Sequence, residues 1–149
     1  MDVEQDHSIV STKYDQVITG FCERTIDKSL WTHEAHLIMA IWFCMRYDPL
    51  DALCRIKSGI ISYNLAVGGE NTGTNGYHET ITIFWWRWIN LYIASHFTRD
   101  FEKMCDGFLG SKYNRKDAPF DFYSKEKLFS REARAMYIDP DLKKVELEQ

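Results

Sequence analysis

An all-α fold, a compact single-domain bundle of five to six helices, is what the sequence predicts. Three observations lead there. Apolar residues recur at helical spacing over long stretches, and no run alternates with the period of two that a strand needs. Helix-start signals also punctuate the chain at Thr32, Asp48-Pro49, Ser124 and Ser130. With 149 residues, of which 45% are hydrophobic and 15% aromatic, the chain can bury a substantial core, so global disorder is excluded. One domain over residues 1–149 is expected, with a loose N-terminus (1–7) and a charged tail (143–149).

Taken in order, Val10, Tyr14, Val17, Ile18, Phe21 and Cys22 mark a first helix between about Ser8 and Asp27. Gly20 weakens it, because glycine inside a helix costs about 1 kcal/mol. Glu4 and His7 form a Glu-x-x-His pair. Without a second such pair it gives little support to a di-iron bundle. A second helix is expected from Thr32 to Tyr47, capped by the Thr32 hydroxyl and apolar nearly all round, as a central helix reads. Asp48 as N-cap and Pro49 in the first turn restart the chain into a third helix that ends near Ala66. Its predicted apolar stripe is Leu50, Leu53, Ile56, Ile60 and Asn64.

Gly68 to Gly76 is a glycine-rich loop without P-loop or dinucleotide-fold spacing. It delivers a fourth helix, about Tyr77 to His96, whose free N–H groups could receive an anion. Thr98 is the expected cap of a fifth helix, which Gly110 stops. Ser111–Asp121 reads as a polar linker, and Ser124 and Ser130 as caps of short helices.

The net charge of −4 offers no broad cationic field, and Lys112–Lys116 is a short basic segment, so nucleic-acid binding is disfavoured. The longest apolar run, Leu37 to Met45, is too short to cross a bilayer, so no membrane span is expected. Cys22, Cys44, Cys54 and Cys105 form no CxxC pair, and the acidic, polar N-terminus is unlike a signal peptide. A reduced, cytoplasmic protein is the expectation. The oligomeric state is not readable.

Chemistry concentrates in Trp31-Thr-His-Glu-Ala-His-Leu37 and Gly76-Tyr-His-Glu-Thr-Ile-Thr82. Each places histidine and glutamate at the first turn of an apolar helix, where buried imidazole needs partners. Three readings stay open. In the first, His33, His36 and His78 bind a divalent transition metal, with Glu34 or Glu79 as ligand, orienter or base. His33-Glu-Ala-His36 is one residue short of the zincin motif, so that mechanism does not transfer. In the second, His78 with Glu34, or His36 with Glu79, forms a metal-free acid–base dyad. The positive helix ends would keep these histidines neutral. Tyr77, Thr80 and Thr82 could donate to a substrate oxygen, Asn64 could point into the site, and Arg134 or Arg131 could pair with an anionic group. In the third, the same residues are a structural network that fixes helix register and takes no ligand. His96, roughly 27 Å along the helix from His78, belongs to no common site.

Thr32-His33-Glu-Ala-His36-Leu37, Tyr77-His78-Glu79-Thr80-Ile81-Thr82, Ser130-Arg-Glu-Ala-Arg134 and Pro140-Asp141-Leu142 together resemble the motifs of a group of small all-helical bacterial proteins. The Tyr63-Asn64 and Asn71-Thr72 positions fit the same pattern, and the likeness spans residues 30 to 142. Tyr137 before Ile138 is a small departure. The resemblance implies which residues form the site and nothing about substrate. The preferred expectation is an enzyme acting on a small polar molecule at the His/Glu pocket, closed by the Gly68–Gly76 loop, with or without a metal cofactor. The alternative is a non-catalytic small-ligand or protein-binding module.

Overall fold

A computed structural model describes residues 12–147 and is helical throughout its regular structure. Among the described residues there are seven helices, against the five to six expected. They are α1 (Asp15–Cys22), α2 (His33–Arg46), α3 (Pro49–Ala66), α4 (Glu79–Ser95), α5 (Phe101–Leu109), α6 (Lys125–Leu128) and α7 (Arg131–Ala135). The surplus comes from the two short helices, capped as predicted. Ser124 Oγ accepts from Lys127 N, and Ser130 Oγ accepts from Ala133 N. The Glu4/His7 pair lies outside the described residues.

α2 is the centre of the bundle and packs against α1, α3, α4 and α5. Thr32 caps it by accepting from Ala35 N at 3.2 Å. Its buried residues run without a break from Leu37 to Cys44, so no face is left for solvent. Each large apolar side chain so buried contributes about 1.5–3 kcal/mol. That is why a helix with so little amphipathic contrast is stable here.

α1 ends at Cys22, before the expected Asp27, and the start expected near Ser8 lies outside the described residues. The chain leaves it through Arg24, a non-glycine residue at φ 59°, and turns back so that Thr25 N and Ile26 N both donate to Gly20 O. A Cβ on Gly20 would lie 2.8 Å from the Ile26 Cβ, so this glycine serves a close approach at the reversal. On α3, Ile56 is buried but Leu50 is 74% exposed, and Asp48 makes no side-chain cap. The predicted stripe is thus shifted toward Ala52, Ile56 and Tyr63. For α5 the cap is Asp100, which accepts from Lys103 N, while Thr98 Oγ1 accepts from Asp100 N.

Two segments expected to be solvated contribute to the core. Between residues 111 and 121, a 3₁₀ turn at Ala118–Asp121 buries Ala118 and Pro119. In the tail, Val145 is buried, Leu147 packs against the core, and the Lys143 ammonium sits 5.3 Å above the Phe122 ring. Cys44 and Cys105 are buried, and Cys22 and Cys54 are exposed. No described helix is long and apolar enough to cross a membrane.

Candidate ligand cavity at the start of the central helix

The two histidine segments do meet through α2 and α4, but they do not put three imidazoles around one point. His78 is the N-cap of α4. Its Nδ1 accepts from Ile81 N at 3.1 Å, and its Nε2 donates to Leu128 O at 2.9 Å. Both ring nitrogens are therefore spent, one on its own helix and one on the end of α6. The expected metal triad His33, His36 and His78 is not formed. Among the described residues no three His, Cys, Asp or Glu side chains come together as a metal site.

The two acid–base dyads are not formed either. Glu34 is exposed. Glu79 is held away from His36, with Oε1 accepting from Tyr77 Oη at 2.6 Å and Oε2 paired with Lys57 Nζ at 2.9 Å. Both carboxylate oxygens of Glu79 are thus already engaged, one by a hydroxyl and one by a cation. Burial and the Glu79 carboxylate push the Tyr77 phenol far up in pKa, so it stays a donor.

The remaining expected site residues hold the fold. The fully buried Thr80 hydroxyl donates to Met136 O and accepts from Ile138 N, tying α4 to the chain after α7. Asn64 Nδ2 donates to Asn71 Oδ1, which also receives Tyr77 N, while Asn71 Nδ2 donates to Ile61 O. Arg134 donates to Gly76 O at 2.9 Å, and Arg131 lies against Gly73. The Gly68–Gly76 loop is thus strapped to α3 and α7, and none of its residues lines the cavity at His33 and His36. Thr82 donates to His78 O. Of all these residues, Thr82 alone also faces the cavity described next.

His33 and His36, one turn apart on α2, line a cavity of about 340 Å³ between α2, α3 and α4. Leu37 and Ala40 of α2, Ile56 and Ile60 of α3, and Ile81, Trp85 and Trp86 of α4 form its apolar body, and Lys116 stands at its edge. Such a volume lies near the lower end of the about 300–1,000 Å³ typical of ligand pockets. His36 Nδ1 donates to Thr32 O at 2.7 Å, and its ring lies 3.9 Å from that of Trp31. That bond fixes the proton on Nδ1 and leaves Nε2 an acceptor. His33 lies edge-on to Trp85, with ring centroids 5.1 Å apart. Its Nε2 is buried and has no hydrogen-bond partner among the described residues. Buried polar atoms are paired in the great majority of cases, so an orphan on a cavity wall points to a ligand.

A second groove, of about 380 Å³, runs along Phe21, Arg24, Tyr47, Arg55 and Ser58. Its Arg55 is committed to Asp51 at 2.9 Å and to the Tyr47 ring at 4.0 Å. It contains no orphaned buried atom among the described residues.

All three histidines have pKa values below the ordinary 6.5, with burial as the largest cause. Lys116 adds to the lowering at His33, against weaker opposition from Asn114 and Glu34. Unfolded histidines therefore take up protons below about pH 6.5 that the folded rings refuse. This part of the stability is complete above that value and is lost as pH falls toward the lowered folded values. A lower urea midpoint at pH 5 than at pH 7.5 is expected. An equal or higher midpoint at pH 5 would contradict neutral burial of these rings.

No family model, curated protein or solved structure matches the chain. The functional reading therefore rests on the site. The apolar lining could be sensed from the sequence through Trp85 and Trp86. Lys116 could not, because only the folding of the segment after α5 brings it to α2.

Proposed function

We propose that the protein is a small-molecule-binding module whose cavity at the start of α2 takes a compact, largely apolar ligand and anchors it by one polar group at the histidines. The observation that carries this reading is the buried His33 Nε2, without a hydrogen-bond partner among the described residues, in a residue that lines a largely apolar cavity. A catalytic reading has less support. Glu79 is tied to Lys57 and Tyr77, and Glu34 faces solvent. What remains is two neutral imidazoles without a carboxylate to orient them.

Trp85 and Trp86 on the cavity wall report occupancy through their fluorescence. Titration with small aromatic and aliphatic fragments is expected to give saturable changes. Ile60→Phe, which intrudes on the cavity from α3, should weaken the same fragments at least ten-fold while the protein stays folded. Saturable binding of equal strength to a folded Ile60→Phe variant would place the ligand elsewhere.

A further inference from the structure

The polar end of the cavity carries a sign as well as a hydrogen-bonding atom. Lys116 lines it, is exposed, and has no ion pair or hydrogen bond among the described residues. Its cationic neighbours are engaged. Arg115 is paired with Asp121 and Asp117, and Lys57 with Glu79. Among the described residues no Asp or Glu lines the cavity. The charges bearing on His33 are Lys116 and, more weakly, Glu34. His33 also opens the 14-residue helix α2, whose N-terminal end favours negative charge. Lys116 and His33, the residue that opens α2, thus both line an otherwise largely apolar slot.

Resting on the binding reading above, we propose that the ligand is a monocarboxylate with an apolar body, its head group held between Lys116 Nζ and His33 Nε2 and its body against Trp85, Ile60 and Ile81. One cation and one imidazole match a single negative charge. A phosphate dianion would leave more acceptor oxygens unpaired than these two groups can serve. The head group would also offset the Lys116 field at His33, whose ring already has a side-chain hydrogen bond to Asn114, so binding should draw a proton onto the imidazole.

The test uses two matched series on the full chain: 3-phenylpropionate with its amide and its amine analogue, and hexanoate with hexanamide and hexylamine. In each, the carboxylate is expected to bind at least ten-fold more tightly than its partners. Lys116→Gln should reduce that preference to near one. Calorimetry near pH 6, in buffers of different ionisation enthalpy, should show proton uptake with the wild type. Amides or amines binding as tightly as the acids would overturn the carboxylate assignment and leave the cavity reading standing. No saturable binding by any member of either series would overturn both.

Discussion

His78→Ala is expected to destabilise the protein by about 2–4 kcal/mol. Two bonds go at once. Ile81 N loses its cap, a loss worth about 1 kcal/mol, and Leu128 O, buried at the end of α6, loses its donor at a cost of about 1–3 kcal/mol. Because one imidazole joins the start of α4 to α6, the loss should fall on a tertiary contact as well as on one helix. His78→Asn keeps a capping oxygen but cannot reach Leu128, so it should recover only about 1 kcal/mol of the deficit. Urea unfolding of the three proteins measures this. A deficit under about 0.5 kcal/mol for the alanine variant would mean that the two bonds are not made.

The second large effect belongs to the loop before α4. Gly76→Ala should cost about 2–4 kcal/mol, since Gly76 has φ +82° and an added Cβ would lie 2.0 Å from Glu70 O and 2.8 Å from Asn71 Oδ1. That oxygen holds both Asn64 and Tyr77 N, so the strain disturbs the bonds that deliver α4. Gly68 provides the internal control. It has the same φ of +82° with nothing within 4 Å, so Gly68→Ala should cost only the left-handed penalty of about 1–2 kcal/mol. Equal losses at the two glycines would show that crowding by Glu70 and Asn71 is not the cause.

Helix positions were readable from the sequence because they depend on local chemistry. The Thr32 cap and the serine caps of α6 and α7 each use a side chain within a few residues of the bond it makes, and the Pro49 restart depends on the ring's own fixed φ. The apolar girth of α2 likewise announced its central place. Partners distant in sequence were not readable. The site reading hinged on where His78 points, and its Nε2 goes to a carbonyl fifty residues later. Glu79 was claimed first by Lys57, twenty-two residues away, which removed the acid–base dyad. His33 and His36 do share the wall of one cavity, as i, i+3 spacing allows. Lys116 reached that wall only because Ala118 and Pro119 are pinned in the core, which a polar, proline-containing stretch does not disclose.

The central claim is that the space below His33 and His36 is a binding cavity, and isoleucine δ-methyl NMR during titration with small apolar carboxylates tests it most directly. Saturable shifts at Ile56, Ile60 and Ile81, with Ile18 and Ile26 unmoved, are the expected result. Shifts confined to methyls away from that wall, or none at millimolar ligand, would contradict it.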